Sequence, residues 1–230
     1  MQNPTIHFVE TMRGHGVLMT SPMTPAQRAA LQPQVEDSAL IQQLFTTHQR
    51  TQQPFAMIWQ DLAVTVCTDQ TTAADGMQGL ITAGRIWVEG LDPAPLTLQR
   101  GEFELLPNSC NGERRMRYRL DCQTQDGQRT FHLYGFKRIV KGNILRLPLA
   151  LWRDTTTLYV TILATTNAPH EDVAGDDVVA TGVIHIHLLD FLRQLMTFRS
   201  HGVRQPFAHV RNFWRFFQFF AKSLLTVYLL

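Results

Sequence analysis

The chain has 230 residues, 44% of them hydrophobic and 17% charged, with 21 Lys+Arg against 19 Asp+Glu for a net charge of +2. That apolar content can offset the ordering entropy, which excludes disorder over the whole chain, and 14 Gly and 11 Pro scattered without a period exclude a collagen-like or low-complexity one. The near balance of charge gives no global field that would steer the chain onto nucleic acid.

Met1 to Glu10 is polar and mixed, with neither a positive leader region nor an apolar one, so no signal peptide is expected and the expected location is the cytoplasm. Thr5 to Arg13 alternates and stops at Gly14-His15-Gly16, which reads as a first strand. Residues 21–53 are rich in Gln and Thr. The cluster SPMTP is a turn, Pro25 can open a helix, Pro33 interrupts it, and Glu36 to Gln49 carries Leu40, Leu44 and Phe45 at helical spacing. This segment reads as a helical insert lying over the core as an excursion or lid.

From Pro54 to Leu189 the pattern is mostly β. Ile58 to Cys67, Leu80 to Leu91, Leu96 to Leu106, Arg115 to Gln123 and Arg129 to Val140 are rich in β-branched or aromatic residues. Asp75-Gly76, Asn111-Gly112, Asp126-Gly127 and Gly142-Asn143 mark turns, and Asp126-Gly127 between two such runs predicts a hairpin. Thr155 to Ala164 and Val178 to Leu188 add two strands around the acidic loop HEDVAGDD. Met116, Tyr118, Leu120 and Cys122 share one strand face and Arg115, Arg117 and Arg119 the other, as in an antiparallel sheet with one face buried. The fold class is therefore mainly β: an antiparallel closed or nearly closed β-barrel, lipocalin-like or similar, with C-terminal α-helices. The barrel domain takes residues 1–204, and residues 205–230 form an amphipathic aromatic helix.

A weak internal repeat accompanies this pattern. WQDLAVTV (59–66) resembles WRDTTTLYVTI (152–162), and AGRIWV (83–88) parallels TGVIHI (181–186). Gly84 and Gly182 would then mark strand bends at barrel corners.

In the C-terminal segment, Arg211, Arg215, Gln218, Lys222 and Thr226 form one helical stripe, and Phe213, Trp214, Phe216, Phe217, Phe220, Leu224, Val227 and Tyr228 cover most of the rest. A spanning helix needs about 20 residues with few charges, so Arg215 and Lys222 argue for an amphipathic helix. Three roles fit: cover for an open face of the barrel, peripheral membrane contact, or docking on a partner. Phe213, Trp214, Phe217 and Phe220 are the candidate membrane or partner contacts. Cys67, Cys110 and Cys122 are odd in number and unpaired by spacing, which reads as reduced thiols rather than a disulfide or zinc framework.

Three constellations could carry chemistry. His185-x-His187-x-x-Asp190 places two histidines on one strand face, a weak candidate metal site, because the opposite face (Val178, Ala180, Gly182, Ile184, Ile186, Leu188) is the better core face. The two histidines should therefore face solvent or the C-terminal helix. Glu10 shares a face with Ile6, Phe8 and Met12, so it enters an apolar lumen where burial would raise its pKa and suit it to general acid or base work. The simpler reading pairs it with a nearby Arg, and some partner must exist in either case. Trp152 to Thr157 reads as a turn entering a strand, with Asp154 and Thr156 capping backbone or lining a ligand rim. The ligand-binding candidates are Glu10, Arg13, Tyr118, His132, Tyr134, Asp154 and Thr156. The Arg114, Arg115, Arg117 and Arg119 stripe lacks interleaved aromatics, so nucleic acid is not an expected partner. No GxGxxG, GxSxG or P-loop motif is present, and no cofactor is expected.

FVETMRG (8–14), RRMRYRL (114–120), GFK (135–137), DTTTLYVTIL (154–163) and ATGVIHIHLLDFLRQLMTFRS (180–200) occur in a familiar order. They resemble the module fused to cholesterol-oxidase-like flavin oxidoreductases of the glucose-methanol-choline family, in long proteins that also carry α/β-hydrolase domains. The likeness covers most of the chain, with residues 21–53 and the last twenty less typical. It implies a context of oxidation or hydrolysis of sterols or other bulky lipids, with a flavin-dependent oxidoreductase as partner, and it brings no catalytic residues. The expected function is a lipid- or sterol-binding accessory barrel. The alternatives are a small cofactor-independent isomerase or cyclase using a buried carboxylate or His, and an interaction module docking through its C-terminal helix.

Overall fold

The computed structural model describes residues 3–19, 26, 37–50, 52–69, 76–108, 113–140, 147–164, 177–202 and 206–229. Among them the long strands are β1 (Thr5–Leu18), β2 (Phe55–Cys67), β3 (Met77–Val88), β4 (Leu96–Asn108), β5 (Arg114–Gln123), β6 (Thr130–Ile139), β7 (Thr157–Ala164) and β8 (Asp177–His185). All pair antiparallel, in the order β2-β3-β4-β5-β6-β7-β8-β1, and β1 pairs back onto β2, so the sheet closes into the expected barrel. The helices are α1 (Ser38–Gln49), α2 (Leu147–Thr156), α3 (Leu188–Thr197) and α4 (Pro206–Leu229), with a three-residue β9 (Arg199–His201) between the last two.

The alternation of the strands fills the lumen. Ile6, Phe8, Glu10 and Met12 of β1, Met57, Trp59, Val64 and Val66 of β2 and Met116, Tyr118, Leu120 and Cys122 of β5 are all buried. Trp59 reaches across the barrel: its ring lies 6.3 Å from that of Tyr118, and a Cβ on Gly135 of β6 would come within 3.0 Å of it. The Arg stripe on the outer face of β5 is matched by acids. Arg117 and Arg119 each reach Glu104 at 3.1 Å, and Arg138 pairs with Glu113. The Asp126-Gly127 turn joins β5 to β6 as predicted, with Gly127 at φ 72°.

Several expectations are corrected. The first strand does not stop at Gly14-His15-Gly16 but runs on to Leu18, because those glycines let other chain segments approach: a Cβ on Gly14 would sit 2.2 Å from the Val183 carbonyl oxygen. Trp152 to Thr156 is the end of α2 rather than a turn, and β7 begins at Thr157. The last long strand ends at His185, and Leu188 opens α3. The Trp-x-Asp repeat therefore has no structural counterpart, since Trp59 lies inside a strand and Trp152 in a helix. Gly84 does lie at an irregularity, opposite a bulge in β2 where Asp61 has φ 53°. Gly182 sits in regular pairing with Gly16. Of the insert, α1 lies on the outer barrel face, with Ile41 and Leu44 packed on Phe136 and its first turn capped by Asp37 Oδ1. Most of residues 20–36, Cys110, the Asn111-Gly112 and Gly142-Asn143 turns, Asp75 and nearly all of the acidic loop lie outside the described residues.

Among the described residues, β1 carries a seam on its β8 side. β8 pairs with β1 only over Arg13 to Leu18, and β9 only over Thr5 to His7. Between them, α3 covers the edge of β1. The Val9 N–H donates to Thr197 Oγ1 at 2.8 Å, and Asp190 pairs with Arg13 at 3.4 Å. A side-chain oxygen thus satisfies a strand edge that no neighbouring strand reaches.

Candidate functional site

The end of the barrel bounded by the seam is closed by α2, α3 and α4 rather than by strands. Beneath them lies a cavity of about 400 Å³. Phe8, Phe103, Leu105 and Met116 form its barrel wall, Leu151 and Trp152 come from α2, and Phe216, Phe220 and Leu224 come from α4. Leu195 of α3 and Phe217 of α4 line it and are also exposed at the surface, so the cavity opens between those two helices.

Its polar floor is a buried triad. Glu10 and Lys137 are each 2% exposed and form an ion pair through Glu10 Oε1 and Lys137 Nζ. The Tyr118 hydroxyl donates to Glu10 Oε2 at 2.8 Å, and Lys137 Nζ lies 5.3 Å from the centre of the Tyr118 ring. Both carboxylate oxygens are therefore satisfied by side chains from β5 and β6. Burial, and then the adjacent Glu10 carboxylate, hold the Tyr118 phenol well above its ordinary pKa, so it is a neutral donor. Gln194 of α3 also lines the cavity. It is buried, and its Oε1 has no hydrogen-bond partner.

The structure brings together two of the expected ligand residues, Glu10 and Tyr118. The partner of Glu10 is a lysine, where the sequence reading offered an arginine. Lys137 is missing from the candidates although its position in the β6 alternation, with Phe131, Leu133 and Ile139, marks it as inward. The other candidates lie elsewhere. His132 and Tyr134 point out of the barrel, with His132 Nδ1 2.7 Å from Asp121. Arg13 is an exposed residue pairing with Asp190. Asp154 is buried at the foot of α2, where its Oδ2 accepts from the Val140 N–H at 3.4 Å, and the Thr156 hydroxyl donates to the Trp152 carbonyl at 2.6 Å. Their neighbours Trp152 and Thr155 reach the cavity instead.

His185 and His187 are exposed, and Asp190 turns away to Arg13 and Arg193 in α3. Among the described residues no group of three or more His, Cys, Asp or Glu side chains is placed to hold a metal ion. Of the four aromatic contact candidates, Phe213 and Phe220 pack inward against the core, while Trp214 and Phe217 are exposed. Among the described residues no helix is long and apolar enough to cross a membrane. Compared with protein-family models, curated proteins and solved structures, the chain matches none.

Proposed function

We propose that this barrel binds a bulky, mostly apolar small molecule carrying a hydroxyl group, such as a sterol or another hydroxylated lipid. The observation that carries the reading is the cavity of about 400 Å³, with aromatic and aliphatic walls and few polar groups. Protein interiors seldom leave voids larger than a water, and an apolar void lowers stability in proportion to its size. A space in the size range of small-molecule sites, apolar but for a few placed polar groups, has the chemistry of a ligand pocket. The unpartnered Gln194 oxygen supplies an acceptor for a ligand hydroxyl. The resemblance to the module of sterol-oxidising flavoenzymes points to the same ligand class, with a flavin-dependent oxidoreductase or a lipase as the partner that would use the bound lipid.

The same triad suits binding better than general base catalysis. Both Glu10 oxygens already accept charge-assisted or phenolic hydrogen bonds, so proton abstraction would have to break one of them. Native mass spectrometry of the purified chain, followed by solvent extraction, tests the proposal. A stoichiometric lipid or sterol mass, on the protein as isolated or after adding cholesterol or a long-chain alcohol, is the expected result. A chain that stays empty and rejects both additions overturns it.

A further inference from the structure

Helix α3 is built inside out. It buries Asp190 and Gln194 against the barrel and exposes Leu188, Leu189, Leu192, Leu195 and Met196, with Leu189 70% and Met196 76% exposed. Of the twelve large apolar side chains exposed among the described residues, ten lie on α3 and α4. On α4, Phe207, Val210, Trp214, Phe217 and Leu225 form the exposed apolar sector, with Phe207 85% and Trp214 67% exposed. At about 100° per residue, Arg211, Arg215, Gln218 and Lys222 fall in the sector immediately beside it. The two helices meet around Phe198, whose ring packs at a tilt against those of Phe216 and Phe217, with centres 5.9 and 5.7 Å away. The apolar surface is therefore shared by both helices, and the cavity opens within it at Leu195 and Phe217.

Charge is segregated to match. Residues 188–230 carry six Lys or Arg and one acid, Asp190, whereas the rest of the chain carries fifteen against eighteen. Asp190 is itself held by Arg13 and Arg193, and Arg215 pairs with Asp69 at 3.5 Å. A nearly neutral protein thus carries a local excess of positive charge in the segment that bears the exposed apolar surface of α3 and α4.

We infer that the α3–α4 face docks on an anionic lipid surface, with Trp214, Met196 and the α3 leucines at the acyl boundary and Arg211 and Lys222 toward the headgroups. A second copy of this chain would bring the same cations face to face, which disfavours self-association. An anionic bilayer satisfies both halves of the pattern, as amphipathic interfacial helices do. The inference rests on the proposed function in one respect: docking this way sets the cavity mouth against the membrane, where an apolar ligand passes in without crossing water.

Flotation of the full chain with phosphatidylcholine vesicles, with and without phosphatidylserine and at low and high salt, tests this. Binding that grows with phosphatidylserine and weakens with salt is expected. The Met196→Ser/Trp214→Ser variant should partition about tenfold less onto either vesicle. The Arg211→Gln/Lys222→Gln variant should lose about fivefold per cation, on the phosphatidylserine vesicles alone. All four side chains are exposed, and circular dichroism checks that the variants keep their fold. A folded wild-type chain that floats with neither vesicle overturns the inference, as does a stable dimer that Met196→Ser/Trp214→Ser dissociates. Loading of cholesterol from ethanol solution, read on the same preparation, separates the two readings. A chain that loads but does not float leaves the cavity reading standing without the docking face. One that floats but does not load does the reverse.

Discussion

Glu10 and Lys137 stand 127 positions apart in the chain and meet as an ion pair inside the barrel, each 2% exposed. Removing one partner leaves the other charge uncompensated in an apolar surround. Lys137→Met should therefore lower stability by about 3–5 kcal/mol. The double variant Glu10→Gln/Lys137→Met removes both charges and keeps an acceptor for Tyr118, so it should recover most of that loss. Denaturant midpoints of the three proteins decide the matter. A Lys137→Met single variant as stable as the parent would show that the pair is not buried in solution.

Tyr118 carries the pH signature of the same triad. Its folded-state pKa lies well above the ordinary value near 10, first because of burial and then because of the Glu10 carboxylate. The folded protein thus holds a proton that the unfolded chain releases. The stability from this group is fully present below about pH 10 and falls as pH rises beyond it. Phenolate absorbance should show no contribution from Tyr118 until the barrel unfolds, so the native spectra of the parent and Tyr118→Phe should gain the same phenolate signal. A phenol that titrates near its ordinary value in the folded chain would contradict the burial.

The barrel and two of the three side chains of the polar floor were legible in the sequence because strand alternation has a strict period of two. That period put Glu10 on the face of Ile6 and Phe8, and Tyr118 on the face of Met116 and Leu120, as the structure has them. It also held the position of Lys137, in step with Leu133 and Ile139. Choosing His132 and Tyr134 for their chemistry over their parity selected the outer face of β6. The helices were less legible for local reasons. The Thr-rich run at 155–157 has strand propensity, yet Thr155 and Thr156 back-bond to the preceding helical turn. Nothing in the α3 segment announces that its leucines face outward, since that choice follows from the seam in β1, where Thr197 and Asp190 are needed inside.

Gln194 separates stability from binding. Its buried Oε1 has no hydrogen-bond partner, and such an atom carries a desolvation cost of about 1–3 kcal/mol. Gln194→Leu removes that cost, so thermal stability without ligand should hold or rise. If the oxygen accepts from a ligand hydroxyl, the same variant should bind cholesterol about tenfold more weakly, while its affinity for the corresponding ketone changes little. Equal losses for both sterols would mean that Gln194 only shapes the wall.

Gly14 lets β8 pack closely against β1. A methyl group there would lie 2.2 Å from the Val183 carbonyl oxygen and 2.7 Å from the Ile184 Cα, both backbone atoms that cannot rotate away. Gly14 pairs with Met57 of β2 on one side and Ile184 of β8 on the other, so a displaced strand would disturb two ladders at once. Gly14→Ala should therefore cost about 1–3 kcal/mol through forced backbone shifts. Gly127→Ala, in the β5–β6 turn, provides the contrast: its methyl would meet nothing closer than 3.6 Å, and its cost comes from φ 72° alone, at about 1–2 kcal/mol. Hydrogen exchange distinguishes the two mechanisms. Gly14→Ala should speed exchange across the β1–β8 and β1–β2 pairings, with β5 and β6 unchanged, and Gly127→Ala should act only near its own turn. Uniform acceleration in both variants would mean that the barrel opens as one unit and has no weaker seam at β1.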